Sequence, residues 1–436
     1  MLHHGDEVAA YAPATGAAGR SSMRRLLVNI GIGNSALYAL YIGVLQVLLP
    51  LQVESVDRAH KVAALGLVSG VSAGVAAICN PLGGALSDRT RSRFGRRAPW
   101  LIASSTGVLV ALVVLGSASS LIMIAIGWSL VQAAANFYQA ALTAVVPDRV
   151  PADRRGTASA VVGVAMSAGA VAGVGLAGRF AAHLAWGYLA LGGLLALTAI
   201  LFVTLTADPP SSSPESGPGM TSAADSPGTT PLLATLSWFA AFTSALRHRD
   251  FAWVFCSRAA MILGYFLVAG FELYILTDYI TLPGGISPAT GVTILAVIST
   301  LCSVLAAAIA GPLSDRLNRR KPFVIGSAAT SGAAMILPIV SPTFAMMTVF
   351  AAVAGLAFGS YLAVDTALVT LVLPRHEDTA RDMGVLNVAN AGPQIVAPFL
   401  AAFIIGHLGG YPALFVGGGV VAIAGALAIG PVRSVR

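Results

Sequence analysis

Three charged residues lie inside long apolar segments, where an ionised side chain is costly unless it is paired or used in chemistry. Arg258 lies about seven residues into its segment and Asp365 about nine residues from the end of another, so at 1.5 Å per residue both lie roughly 10–14 Å from one membrane boundary. This similar depth favours an ion pair between them. Glu272 follows Arg258 by fourteen residues, which is roughly 21 Å along a helix and too far for direct contact.

A carboxyl group in such a place can carry a proton. Burial raises the pKa of a carboxyl group, whereas a neighbouring arginine lowers it, so a change of partner changes the proton occupancy. We therefore expect Asp365 or Glu272 to take up and release a proton, with Arg258 competing for the carboxylate. The alternative is a permanent structural pair between Arg258 and Asp365.

Uncharged polar side chains also recur on single helical faces. Residues at i, i+4 and i+7 share one face of a helix, and a face turned towards lipid would leave its hydrogen bonds unmade. We expect these faces to line a cavity for a small molecule, whereas the alternative is hydrogen bonding between packed helices. The residues are Asn34, Tyr38, Tyr41, Gln132, Asn136, Gln139, Tyr265, Tyr361, Asn387, Asn390 and Gln394.

The composition places these residues in a membrane. Of the 436 residues, 56% are hydrophobic and 10% are charged, whereas a soluble domain carries about 25% charged residues. Twelve apolar stretches of roughly 20 residues, the length that crosses a bilayer, predict an all-α membrane protein with twelve transmembrane helices. We expect the helices to begin near Leu26, Val62, Pro99, Leu121, Gly156, Tyr188, Phe251, Ala289, Pro322, Thr343, Gly384 and Pro412.

The arginines lie at the ends of these stretches, mostly on one side. The net charge of +7 is therefore a sign of membrane topology and not of a nucleic-acid-binding surface. The side with the clusters at 89–97 and 316–321 is expected to face the cytoplasm together with both termini. The abundance of Ala, Gly and Arg suggests a bacterial plasma membrane, and residues 1–22 lack the apolar segment of a cleavable signal peptide.

The chain divides into two similar halves. Gly311 minus Gly84 and Asp315 minus Asp88 both equal 227, so the landmarks of the first half recur in the second. Residues 208–231 are rich in Pro, Ser and Gly and predict a flexible linker. The expected organisation is a disordered tail at 1–22, a six-helix bundle at 23–207, a cytoplasmic linker with an interfacial helix at 208–248, a second six-helix bundle at 249–432 and a tail at 433–436.

The patterns of soluble enzymes are missing from the sequence. It has no Gly-x-x-x-x-Gly-Lys-Ser/Thr loop for ATP and no Cys/His cluster of the kind that binds a metal. Gly70-Val-Ser72-Ala-Gly74 matches the serine-nucleophile pattern, but it lies in an apolar helix with no strand before it. We expect no enzymatic activity, cofactor or metal.

The loop after the second apolar stretch carries a more specific pattern. Gly84-x-x-x-Asp88-Arg89, continued to Gly95-Arg96-Arg97, resembles the signature loop of the major facilitator superfamily. Residues 80–100 as a whole are closer to the branch of glycoside–cation symporters and sucrose transporters. A shortened copy with Asp315-Arg316 runs from Gly311 to Lys321, and residues 146–159 resemble the superfamily's loop between helices 4 and 5.

The resemblance implies two parallel six-helix halves around a cavity lined by helices 1, 4, 7 and 10. It also implies a cytoplasmic gate, in which Asp88 meets the start of helix 11 beyond Arg381, and Asp315 meets the start of helix 5 beyond Arg155. The alternative is that these loops only determine the orientation of the helices in the membrane. The gate residues implied are Gly84, Asp88, Arg89, Arg96, Arg97, Arg155, Asp315, Arg316 and Arg381.

The same resemblance implies a monomeric secondary transporter that works by alternating access on a small-molecule substrate, with the proton as coupling ion. A sugar or glycoside symporter is favoured, and an exporter of drugs or natural products is the alternative; a channel or receptor fits the paired loops less well. The sequence departs from the patterns of three kinds of transporter in the superfamily, which makes each of these kinds less favoured. Val174 stands where antiporters usually carry Pro, residues 62–86 contain no acid for sodium, and residues 121–146 contain no basic residue of the sucrose-transporter kind.

Overall fold

Twelve long helices make up most of the described chain. The computed structural model describes residues 17–206, 246–317, 319–372 and 379–432, without the side chains of 17–21 and 366–384. Twelve helical spans are long and apolar enough to cross a bilayer, the ninth of them being Lys321–Val340, which confirms the predicted all-α membrane architecture. The predicted linker and interfacial helix at 208–248 and the tail at 433–436 lie outside the described residues, except for 246–248.

The helices are labelled α1 to α12 in chain order. The first, α1, is Ala17–Gly43, continued by a π-helical turn at Val44–Leu48 and by Leu49–Val56. Short helices precede α5 at Ala152–Arg154, follow α7 at Glu272–Asp278 and follow α9 at Leu337–Val340. The other helices are α2 (Lys61–Arg89), α3 (Ala98–Gly116), α4 (Leu121–Arg149), α5 (Arg155–Arg179), α6 (Leu184–Leu205), α7 (Arg249–Ala269), α8 (Pro288–Leu317), α9 (Lys321–Ala334), α10 (Phe344–Val372), α11 (Thr379–His407) and α12 (Gly410–Ala428).

The predicted helix starts lie within five residues of the observed ones, except at α1. There the helix begins at Ala17 rather than near Leu26, because hydropathy marks the apolar part of a helix and not polar turns that precede it. The interruption between Ala269 and Glu272 was also not predicted, since its residues are apolar and carry no proline. It divides the seventh span into two helical pieces.

Two faces of the bundle can be distinguished by their loops. We call the face with loops 90–97, 150–154 and 319–320 the arginine-rich face. The face with loops 57–60, 117–120, 180–183, 279–287, 341–343 and 408–409 is called the opposite face.

Glycines allow pairs of helices to approach closely. A Cβ atom added at Gly173 of α5 would overlap the backbone of Ala39 in α1, and one at Gly359 of α10 would overlap the backbone of Ser303 in α8. In a bilayer, where lipid is as apolar as the side chains, such close backbone contact is a main source of association between helices. Each half therefore contains a seam that only glycine fits.

The halves pack against each other at the opposite face. A Cβ atom at Gly66 of α2 would lie 2.5 Å from Ala402 Cβ of α11, and one at Gly178 of α5 would lie 3.2 Å from Thr293 Oγ1 of α8. Near the arginine-rich end of α2, by contrast, an added Cβ at Gly84 has no described neighbour within 4 Å. The seam between the halves is therefore tight at the opposite face.

The glycine seam can be tested by comparing two identical substitutions in α5. Gly173→Ala should lower the free energy of unfolding by about 1–3 kcal/mol, because α1 and α5 must move apart. Gly163→Ala places its Cβ where the described structure has no atom within 4 Å, so it should be neutral or stabilise by up to about 1 kcal/mol. Thermal unfolding in detergent measures both, and equal melting temperatures would contradict the close seam.

Candidate functional site

A buried ion pair joins the second half's helices. Arg258 of α7 and Asp365 of α10 contact through Nη1 and Oδ2 at 3.0 Å, and their side chains are 17% and 3% exposed. The other carboxylate oxygen, Oδ1, accepts a hydrogen bond from Tyr361 Oη at 3.0 Å. Arg258 also donates through Nε to Asn390 Oδ1 of α11 at 2.8 Å. The pair therefore links three helices, and four of the sequence-predicted residues meet in one cluster.

The local sequence explains this placement. Tyr361 and Asp365 are four residues apart on α10, so the hydroxyl lies directly beside the carboxylate one turn away. Desolvating either charge alone would cost several kcal/mol, which the pair and its added hydrogen bonds offset. The depth argument from the sequence anticipated the ion pair, but the part played by Asn390 needed the structure.

An aromatic stack lies on the same helices as the ion pair. The Tyr265 ring of α7 stacks on Phe358 of α10 with centroids 4.3 Å apart and planes 14° from parallel. Tyr265 also contacts Phe266 edge-on. Phe358 was not predicted from the sequence, because its side chain has no polar atom. It lies three residues before Tyr361 and so near the same face of α10.

Glu272 lies apart from this cluster. It begins the short helix Glu272–Asp278, beyond the interruption in the seventh span, and is half-buried. A carboxylate at a helix N-terminus is stabilised by the helix dipole.

The first half contributes neutral polar groups. Tyr41 Oη of α1 donates to Gln139 Oε1 of α4 at 3.3 Å, and the Tyr38 ring meets Tyr41 edge-on at 6.1 Å. These side chains are half-buried, so α1 and α4 bring part of the predicted polar faces together.

Two other predicted residues form hydrogen bonds within their own helix or to a neighbouring helix. Asn34 Nδ2 donates to Ile30 O, and Asn136 Nδ2 to Gln132 O, both at 2.8 Å within their own helices. Asn136 Oδ1 accepts from Asn80 Nδ2 of α2 at 3.3 Å. Buried Asn34 and Asn136 thus favour the packing alternative.

A further group of predicted polar residues lies on one face of α11. Its outer members, Asn387 and Gln394, are exposed. Gln394 Nε2 donates to Asn390 O at 3.1 Å, so of this group only Asn390 reaches the Arg258 pair among the described contacts.

At the arginine-rich face, Arg97 holds two carboxylates. Its Nη2 lies 2.6 Å from Asp88 Oδ1 and 2.8 Å from Asp148 Oδ2, and its side chain is 5% exposed. Nη1 also donates to Ser87 Oγ at 2.6 Å. Burial alone would lower the pKa of Arg97, but the hydrogen bonds and charges of Asp148 and Asp88 outweigh it and raise the pKa.

Asp88 and Asp315 therefore have partners inside their own halves. Asp315 pairs with Arg320 at 3.0 Å and is 63% exposed, while Arg155 donates to the carbonyl oxygens of Val150 and Pro147. The partners implied by the resemblance, the starts of α11 and α5, are not those seen in the described residues.

The other residues of the implied gate are open to solvent or undescribed. Arg89, Arg96 and Arg316 are exposed, and the side chain of Arg381 lies outside the described residues.

The opposite face holds an ion pair that the sequence search did not single out. Lys61 Nζ, at the start of α2, lies 2.9 Å from Glu54 Oε1 of the first half and 2.8 Å from Asp278 Oδ1 of the second. The sequence could have indicated this pair, because both acids lie in the last turn of a helix, where the helix dipole disfavours a carboxylate. Such acids need a cation from elsewhere.

Comparisons with known proteins identify the family to which this fold belongs. The family model described as Major Facilitator Superfamily matches residues 32–284 and 275–435. No curated protein matches the chain. Among solved structures, the peptide transporter POT in complex with sulfate has a TM-score of 0.71 at 13% identity, with 93% of each chain covered.

Two further structures are similar over comparable lengths. A bacterial homolog to the human lysosomal transporter Spinster, in an inward-facing and unoccupied conformation, has a TM-score of 0.65 at 15% identity, with 95% of each chain covered. A mutant of the nucleoside transporter NupG has a TM-score of 0.71 at 13% identity, covering 93% of this chain and 99% of that one. The chain belongs to the major facilitator superfamily, whose members are membrane transporters and not enzymes.

Proposed function

We propose that the protein is a proton-coupled secondary transporter that carries a sugar, glycoside or similar polar solute by alternating access. The observation that carries the proposal is the buried Arg258–Asp365 pair, held by Tyr361 and Asn390. Hydroxyl groups of a solute can replace the contacts of either side chain. The pair is therefore suited to exchange partners when a solute binds.

The coupling step follows from the charges. When a solute draws Arg258 away, Asp365 loses its cation in a site that is nearly closed to water, and binding a proton removes the uncompensated charge. Return of Arg258 to Asp365 expels the proton again. Glu272 is the second candidate for this role, because it is a half-buried acid on the continuation of the same span.

The orientation is proposed from the arginine distribution. The arginine-rich face is assigned to the cytoplasm by the positive-inside rule, which makes the tight opposite face the external one. The conformation is then inward-facing. The disagreement between the implied cytoplasmic gate and the observed pairs of Asp88 and Asp315 is explained, since those gate contacts belong to the outward-facing state.

The substrate class rests on the site and not on the similar structures. At identities of 13–15% these structures share only the fold with this chain, and they include a peptide transporter and a nucleoside transporter. Neutral hydrogen-bonding groups on α1, α4 and α11 suit a hydroxyl-rich solute, whereas an exporter of hydrophobic cations needs mainly aromatic and acidic surfaces.

Vesicle measurements test the function directly. In proteoliposomes loaded with a pH-sensitive dye, adding sucrose or melibiose outside should acidify the lumen, because solute and proton enter together. Tetraphenylphosphonium should leave the lumenal pH unchanged. A lumenal pH that rises with tetraphenylphosphonium and ignores both sugars would favour the exporter and overturn the proposal.

Single substitutions test the coupling residue. Asp365→Asn should reduce uphill sugar uptake at least tenfold while sugar counterflow continues, because exchange needs no net proton movement. Glu272→Gln is measured in parallel, and Asp153→Asn, whose side chain is 75% exposed, is the control. If both Asp365→Asn and Glu272→Gln retain uphill, pH-dependent uptake, neither acid couples the proton.

A double-substitution cycle tests the pair itself. Arg258→Gln should lower the free energy of unfolding by about 3–5 kcal/mol, since it leaves a buried carboxylate without its cation. Adding Asp365→Asn should restore most of that loss. Thermal unfolding in detergent gives the four values, and additive losses would show that the two charges do not depend on each other.

A further inference from the structure

Lys61 binds two carboxylates at the opposite face, and its contact with Asp278 joins the two halves. Lys61 is 11% exposed, Glu54 17% and Asp278 31%, so the three charges are partly shielded from water. Tyr411 Oη donates to Asp278 Oδ2 at 2.7 Å, and Lys61 Nζ lies 4.7 Å from the centre of the Tyr274 ring. The cation is thus surrounded by two carboxylates and a ring face.

Each charge occupies a helix end that does not favour it. Glu54 lies in the last turn of Leu49–Val56 and Asp278 ends Glu272–Asp278, where carboxylates meet the negative end of the dipole. Lys61 is the first residue of α2, at the positive end. The three side chains are therefore held in place by one another and not by their own helices.

The two carboxylates differ in which half they belong to. Glu54 is on α1 and Lys61 on α2, so this contact lies inside the first half; Asp278 belongs to the second half, as does Tyr411 of α12. If the halves separate at this face, Lys61 keeps Glu54 and Asp278 keeps Tyr411. Of the three hydrogen-bonded contacts in this network, only Lys61 to Asp278 breaks.

We propose that Lys61 is a shared cation that sets the balance between the two access states: its bond to Asp278 closes the opposite face, and its bond to Glu54 makes release possible. This inference rests on the alternating access proposed above. Glu54 acts as a holding partner for Lys61 while the face is open. Tyr411 does the same for Asp278.

The proposal requires opposite effects from two acids that touch the same atom. Without Asp278, the closed state loses its bond between halves and the open state loses little, so the face opens more often. Without Glu54, Lys61 still binds Asp278 in the closed state but has neither carboxylate as a partner in the open state. The face therefore stays closed. If the network only supported the fold, both losses would act in the same direction.

Neutral contacts close the same face and provide a suitable background. Tyr274 Oη donates to Pro50 O across the halves at 2.8 Å. Tyr274→Phe removes this bond but keeps the ring beneath Lys61. It should therefore raise the open population to a level at which a decrease can be measured.

Distances between spin labels test the proposal without any substrate. Labels are attached at Ser119→Cys and Gly284→Cys, exposed positions in opposite-face loops of different halves, after the native Cys79, Cys256 and Cys302 are replaced by alanine. Electron–electron double resonance on the full chain in lipid nanodiscs then measures the fraction of molecules with the longer, open distance. Because the readout is conformation and not transport, it is independent of the proposed sugar and proton.

In the Tyr274→Phe background, Asp278→Asn should raise the open fraction at least threefold and Glu54→Gln should lower it at least threefold. Arg58→Gln is the matched control, because Arg58 is 85% exposed and 3.7 Å from Glu54, and it should leave the fraction unchanged. Shifts of the same sign for the two acids, or the same fraction in all variants, would overturn the proposal.

Discussion

The buried carboxylate of Asp365 imposes the constraint on which the site depends. In a membrane-spanning helix it can remain ionised only beside a cation, and Arg258 supplies that cation from another helix at 3.0 Å. Tyr361 and Asn390 complete the hydrogen bonds of the pair. Because the partners come from α7, α10 and α11, any movement of these helices changes the balance of charge at Asp365.

The same rule recurs at both ends of the bundle. At the arginine-rich face, Arg97 directly precedes α3 and holds Asp88 and Asp148, which lie in the last turns of α2 and α4. At the opposite face, Lys61 begins α2 and holds two acids that also lie in last turns of helices. The first cation works within one half and the second between halves, so only the second depends on how the halves are placed.

Periodicity and hydropathy gave the twelve spans because a bilayer leaves few alternatives to apolar helices of one length. The pairing of Arg258 with Asp365 also followed from their depths. What could not be predicted depends on contacts without a periodic signal. The π-helical turn in α1, the interruption before Glu272 and the stack of Phe358 on Tyr265 involve mainly apolar residues, whose pattern in the sequence does not mark them. Asn34 and Asn136 were predicted for the cavity, and their amides form hydrogen bonds within the protein. The spacing of polar residues in the sequence does not distinguish these two uses.

The central claim is that a proton and Arg258 compete for Asp365. Infrared difference spectroscopy of the purified protein, recorded with and without sucrose or melibiose, follows the protonated carboxyl group directly. The wild type should show a carboxylic acid band that appears with the sugar, and Asp365→Asn should lack it. A sugar-dependent band of full intensity in Asp365→Asn would contradict the claim.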